Sequence, residues 1–309
     1  MKIEKLFAIA VALLIATAVF MTGCATEAPS IALTQATTQA STGEASTDEP
    51  TTEPLSGKLN ISGSTSMLEL VQELAAKFME VNNGVTIDVQ GGGSGVGLQN
   101  VVDGLSDIGN SSSTLKDSDK EKGLIGTEIA LDGVAVIVNP KNPLTDLSEE
   151  NIVKIFKGEI TNWKDVGGAD HTITVVNREA SSGTREAMGK LFGLVEKDAA
   201  GKTVELFTEK AIEQNSGGGV ITTVAGDEFA IGYVSIGSVK DSIKALAVDG
   251  VTASKVTILD GTYKYWRPFV MATKGDAQGL AKTFLEWCVN DPAAQEIVNH
   301  KFIAIAEKK

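Results

Sequence analysis

Short apolar runs suited to strands alternate with amphipathic runs suited to helices from about residue 58 onward, and this alternation restricts the fold more than any other feature. Leu59 and Ile61 open a strand, and Ser64 to Glu80 then carries Met67, Val71, Leu74 and Phe78 at helical spacing. Val85, Ile87 and Val89 alternate as a second strand that ends in Gly91-Gly92-Gly93. A second helix carries Val96, Leu98, Val101, Val102 and Leu105 and closes at Gly104. Asp107-Ile108-Gly109 starts a third strand. Val134 to Val138, Ile173 to Val176 and Ala230 to Ser235 read as further buried strands. Such a pattern predicts an α/β protein with mainly parallel sheets flanked by helices.

Asn139-Pro140-Lys141-Asn142-Pro143 follows a buried strand with two prolines, as a segment leaving one lobe for another would. A second crossing after Val234 would make the middle lobe an insertion. The expected boundaries are residues 58–138 plus 237–309 for lobe I and 139–236 for lobe II.

The N-terminal part has a different character. Lys2 and Lys5 precede an apolar run from Leu6 to Met21, shorter than the roughly 20 residues a spanning helix needs, which fits a secretory signal peptide over residues 1–23. The run ends in Met21-Thr22-Gly23-Cys24, which resembles the bacterial lipobox, so Cys24 is the expected site of lipid attachment. Residues 24–57 are rich in Thr, Ser, Ala, Glu and Pro, with no aromatic residue, and read as a disordered tether. Cys288 is the other cysteine, in an apolar helical stretch, so no disulfide framework is available and the thiol is expected to be buried and inert.

A net charge of −13 argues against nucleic acid or an anionic membrane surface as partner. It does not exclude a small anion, because surface fields are screened within about 8 Å at physiological salt and local donors in a cleft prevail.

Three strand-to-helix junctions offer such donors. Ligands of open α/β sheets bind at the carboxyl ends of strands, where helix N-termini present unpaired amides and partial positive charge. The first junction is Ser62-Gly63-Ser64-Thr65-Ser66 and the second Gly91-Gly92-Gly93-Ser94-Gly95-Val96-Gly97. The second is neither a Walker loop nor a G-x-G-x-x-G fingerprint, which argues against nucleotide binding. The third, Asn177-Arg178-Glu179-Ala180-Ser181-Ser182-Gly183-Thr184-Arg185, sets a guanidinium just past a strand end and hydroxyls at a helix start. Each junction alone is more simply read as a helix cap that binds nothing. Three together point to an oxyanion.

These motifs, with Ser106-Asp107-Ile108-Gly109, Gly158-Glu159-Ile160-Thr161-Asn162-Trp163 and Ala230-Ile231-Gly232-Tyr233-Val234, resemble the phosphate-binding lipoproteins of ABC phosphate importers, in order over residues 58–309. The resemblance implies a two-lobe type II periplasmic-binding-protein fold and a monomer that binds inorganic phosphate without enzymatic turnover or cofactor. It also implies docking on ABC permease subunits and a lipid anchor on the extracellular face of a bacterial, Gram-positive cell membrane. Carried over by position, the phosphate ligands are Thr65, Ser66, Ser94, Arg178, Ser182, Gly183 and Thr184.

One position departs from the pattern. Where well-known members carry an aspartate that accepts the proton of hydrogen phosphate, this chain has Ser112, which can donate but cannot act as a charged acceptor. Asp132, in Ala130-Leu131-Asp132-Gly133, is the expected substitute, with a plain turn aspartate as the alternative.

Competing readings keep the same fold with another tetrahedral oxyanion, sulfate or molybdate, or make the chain an exported hydrolase. The hydrolase reading lacks a base: the two histidines, His171 and His300, have no catalytic or metal-ligand spacing, and Gly92-Gly93-Ser94-Gly95-Val96 misses the final glycine of a nucleophile elbow. A surface adhesion module would explain the tether equally well. For that reading Tyr263, Tyr265 and Trp266 would form the partner patch, whereas packing explains them more simply.

Overall fold

The computed structural model describes residues 54–307. The signal peptide, Cys24 and nearly all of the expected tether lie outside them. The strand expected to open at Leu59 begins earlier, at Ser56, because Ser56 and Gly57 already pair with Gly84 and Val85.

The elements that position the site are, in chain order, β1 (Ser56–Gly63), α1 (Leu68–Val81), β2 (Gly84–Gly91), α2 (Ser94–Val102), β3 (Ile108–Ser111), β4 (Leu124–Val138) and α3 (Glu149–Lys157). After these come β5 (Thr174–Arg178), α4 (Gly183–Leu191), β6 (Ile212–Gln214), α5 (Gly217–Gly226), β7 (Ala230–Ser235), β8 (Trp266–Lys274), α6 (Gly279–Asn290) and α7 (Pro292–Lys301). The helices form where the sequence has helical spacing and start and stop signals. Ser148 caps α3 and Gly158 ends it in the left-handed conformation, while Asp291 caps α7 with Pro292 at its first position.

The strands join in one ten-stranded mixed sheet in the order β2-β1-β3-β8-β4-β7-β5-β6, with Lys244–Ala245 and Ile303–Ala304 also pairing with β4. The flanks are parallel as expected, but the centre is not. β8 runs antiparallel to β3 and to β4, and β7 antiparallel to β4. The expectation of mainly parallel sheets therefore holds at the flanks only. Fifteen-residue β4 joins the two halves: Leu124 to Gly133 pair with β8, and Val134 to Val138 pair with β7.

Separate cores flank this shared strand. One gathers Leu59, Ile61, Leu74, Phe78, Phe269, Phe284 and the buried Cys288 from β1, α1, β8 and α6. Another gathers Val136, Ile155, Phe156, Trp163, Met188, Tyr233, Tyr263 and Tyr265 around α3, α4 and β7. Tyr263 and Tyr265 are thus core residues, and burial pushes the Cys288 thiol up, away from reactivity. Among the described residues no helix is long and apolar enough to cross a membrane.

Candidate functional site

The carboxyl ends of β1, β2, β3 and β5 meet, and with them the three junctions. After β1 the chain does not enter α1 directly. Ser64 to Met67 form a turn, and Met67 occupies the N-cap position with no side-chain cap. The hydroxyls of this turn are therefore not capping groups. Thr65 Oγ1 instead accepts a hydrogen bond from Arg178 Nη2 at 3.2 Å, and Ser66 Oγ lies 2.8 Å from Thr184 Oγ1. Both contacts span well over a hundred residues of sequence. Gly63 makes the turn possible: its φ is +139°, and a Cβ there would lie 2.3 Å from the Asn110 carbonyl oxygen.

The second junction docks on the first and the third. The Gly93 amide donates to the Gly63 carbonyl at 3.0 Å, and the Gly95 amide, in the first turn of α2, donates to the Ser181 carbonyl at 2.9 Å. Ser94 starts α2 and is buried. Its Oγ accepts from the Ser112 amide at 3.1 Å and lies 3.4 Å from Ser112 Oγ.

The third junction places its glycine against both serines. A Cβ on Gly183 would lie 2.3 Å from Ser94 Oγ and 2.8 Å from Ser112 Oγ, so the absent side chain is what lets the start of α4 approach them. Ser182 caps α4, its Oγ accepting from the Arg185 amide at 3.2 Å. Accepting there leaves the hydroxyl's own hydrogen available to donate.

Arg178 is 1% exposed and anchors the cluster. Its Nε and Nη2 fork onto Glu179 Oε2 and Oε1 at 2.8 Å each, and Nε also reaches the Gln214 carbonyl at 3.3 Å. Behind it, Arg185 Nη1 donates to the Arg178 carbonyl at 2.6 Å, and the Arg178 amide faces Asn177 Oδ1 and Tyr233 Oη. Burial pushes the Tyr233 hydroxyl up, so it is a neutral hydrogen-bonding group.

Eight of the nine expected ligand residues thus come together: Thr65, Ser66, Ser94, Ser112, Arg178, Ser182, Gly183 and Thr184. Asp132 is bonded elsewhere. Fully buried, it accepts from Ser235 Oγ at 2.6 Å on Oδ1 and from Arg267 Nη2 and Nε at 2.9 and 3.1 Å on Oδ2. Its expected role as proton acceptor gives way to an internal ion pair, because both oxygens already have strong donors. Burial raises the carboxyl, with the Arg267 charge and the bonds from Ser235, Arg267 and the Ile236 backbone opposing it.

The sequence reading missed Glu179, Ser181 and Arg267. Glu179 and Ser181 lie inside the third junction, where a carboxylate beside a buried arginine could have been anticipated. Arg267 carried only a weak signal, a charge between Trp266 and Pro268 at the start of an apolar run.

The cluster is rich in donors, and its carboxylate, Glu179, is forked onto Arg178. His171 is exposed and stacked on Phe229, and His300 is exposed at the end of α7. No group of three or more His, Cys, Asp or Glu among the described residues could hold a metal ion. Such an arrangement can wrap and dehydrate a small oxyanion, with hydroxyls, helix-start amides and a guanidinium directed at it.

Comparisons with known proteins agree with this chemistry. A family model described as a PBP superfamily domain matches residues 40–292. The chain is 38% identical over 258 residues to the phosphate-binding protein PstS of Bacillus subtilis, covering 82% of this chain and 83% of the relative. It is 29% identical over 252 residues to PstS of Borreliella burgdorferi, covering 80% and 90%. Among solved structures, it is similar to a phosphate ABC transporter substrate-binding protein with bound phosphate from Clostridium perfringens, at 35% identity and a TM-score of 0.75. That match covers 81% of this chain and all of the other. An ABC-type phosphate transport receptor from Vibrio cholerae matches at 36% identity and a TM-score of 0.66, covering 80% and 100%. By the family model over most of its length and its identity to these relatives, the chain belongs to the PstS phosphate-binding proteins of the PBP superfamily.

Proposed function

We propose that this chain binds inorganic phosphate outside the cell membrane and delivers it to the permease of an ABC importer, without catalysis. The observation that carries the reading is the convergence of three helix starts, their hydroxyls and one buried guanidinium on a single cluster. The names of its relatives support it, as does the phosphate bound in the Clostridium perfringens protein.

The ligand set in this reading is Thr65, Ser66, Ser94, Ser112, Arg178, Ser182, Gly183 and Thr184. In this reading residues 58–138 plus 237–309 form one lobe and residues 139–236 the other. Separate cores on either side of β4 support two lobes, although Tyr263 and Tyr265 of the 237–309 segment pack in the core of the second lobe. Hydrogen bonds from the β1 turn to Arg178 and Thr184 then belong to the closed form, and opening at the shared strands admits the anion. The signal peptide, Cys24 lipidation and the tether of residues 24–57 place the monomeric receptor on the extracellular face of a Gram-positive membrane, beside the permease subunits.

Isothermal titration of the protein with phosphate, arsenate, sulfate and molybdate tests the ligand. Tight binding of phosphate and arsenate with weak sulfate binding is expected. Preference for sulfate or molybdate would reassign the ligand, and hydrolysis of a chromogenic phosphoester would return the chain to the enzymes.

A further inference from the structure

Arg267 is 3% exposed, and its Nε and Nη2 are bonded to Asp132, yet its Nη1 is buried with no hydrogen-bond partner. An unsatisfied guanidinium N–H in a dry interior is costly, so such a group marks a place that a polar partner is built to fill. Asp132 grips the Nε–Nη2 side of the fork, which leaves Nη1 directed away from it.

The sheet register locates this group. β8 runs antiparallel to β3 with Val270 opposite Ser111, so three steps back to Arg267 carry the chain beyond the end of β3, to the level of Thr114, two residues past Ser112. From the other side, Asp132 holds Ser235, the last residue of β7. β7 and β5 are parallel with Ala230 opposite Thr174, so four steps along each strand bring Val234 level with Arg178. Helix α4, which begins at Gly183 and Thr184, packs against β4, β7 and β8. The Arg178 charge also acts on Arg267, whose pKa is lowered first by burial and further by that repulsion, against the pull of Asp132. Two buried arginines, each neutralised by one carboxylate, thus share the edge on which the hydroxyl cluster sits.

We infer that Arg267 is a second cationic donor to the bound oxyanion, reaching it through Nη1 directly or through one shared water, and that Asp132 and Ser235 are the residues that position it. The inference rests on the phosphate reading above. Asp132, expected to receive the ligand's proton, instead aims the group that meets the ligand's charge. A second guanidinium favours the more highly charged form of phosphate, so its effect grows with pH through the ligand's second ionisation.

Phosphate titrations of the full-length protein at about pH 5.5 and about pH 8, on either side of a second phosphate ionisation near 6 to 7, test it. The variants are the charge-neutral pair Asp132→Asn with Arg267→Gln, and Arg267→Lys alone. The double variant should lose about tenfold or more in affinity at the higher pH and clearly less at the lower one. Arg267→Lys should retain part of the affinity and the same pH trend. A merely structural pair would weaken binding equally at both values. A pH-independent loss, or affinity within about twofold of the parent at both values, overturns the inference. If the double variant does not fold, the crystal structure of the unmodified protein with phosphate decides. Nη1 bonded to a phosphate oxygen, or to a water that is itself bonded to phosphate, supports the inference, and Nη1 bonded to neither ends it. Absence of phosphate binding by the unmodified protein would instead sink the functional reading itself.

Discussion

The helix starts after β1 and after β5 are nearly alike in composition and differ in what they do. One reads Ser64-Thr65-Ser66-Met67 and the other Ser181-Ser182-Gly183-Thr184. At the second, Ser182 has extended backbone (φ −75°, ψ 119°), which swings its Oγ over the Arg185 amide and caps α4. At the first, Met67 already has helical angles (φ −96°, ψ −12°), so the hydroxyls lie a turn too early to reach the amides of α1. They face across the molecule instead, to Arg178 and Thr184. The comparison teaches that a hydroxyl before a helix caps it or bonds across the molecule according to the dihedral angles of the residue that enters the helix. Under the proposed function Ser182 would serve both ends, while Thr65 and Ser66, which cap nothing, would serve the ligand alone.

Substitutions can break or sharpen this contrast, and the largest effect is expected where both turns depend on one group. Arg178→Ala leaves the Glu179 carboxylate without its partner, which costs about 3–5 kcal/mol of stability and should abolish phosphate binding. Chemical denaturation and calorimetry measure the two losses, and near-normal affinity in this variant would dismantle the site as described. Gly183→Ala comes next: its Cβ would press on Ser94 and Ser112, for about 1–3 kcal/mol of strain, and phosphate affinity should fall by more than about tenfold.

The contrast itself is tested by two single-atom deletions. Ser182→Ala removes a cap and should lower stability by about 1 kcal/mol, a melting shift of roughly 2–4 °C for a chain of this size, along with affinity. Ser66→Ala should change stability by less than about 0.5 kcal/mol while still weakening phosphate binding several-fold. Equal melting shifts for these two variants would show that the distinction between the turns is wrong. The smallest effect is expected at Lys116, whose 3.0 Å ion pair with Glu186 joins the segment after β3 to α4 at the surface. Lys116→Ala should alter stability by no more than about 0.5 kcal/mol, and high salt should erase even that difference in a melting experiment.

What the sequence by itself determined was everything governed by near neighbours. The apolar spacing of Val71, Leu74 and Phe78 makes a helix, the alternation of Val85 and Ile87 a strand, and Gly91-Gly92-Gly93 a close approach, each from interactions within a few residues. The three junctions were legible for the same reason, since a strand end followed by hydroxyls and glycine is a local signal, whereas the individual ligand expectations, Ser112 among them, came from the family resemblance. Tertiary structure alone decided the rest. The antiparallel centre of the sheet depends on β8 meeting β3 and β4, strands far away in the chain. Asp132 could be read as a ligand or a turn residue because its partner, Arg267, lies 135 positions further on. Packing chooses the partner of a buried charge, so no pattern around Asp132 could announce that its carboxylate would hold an arginine rather than face the anion.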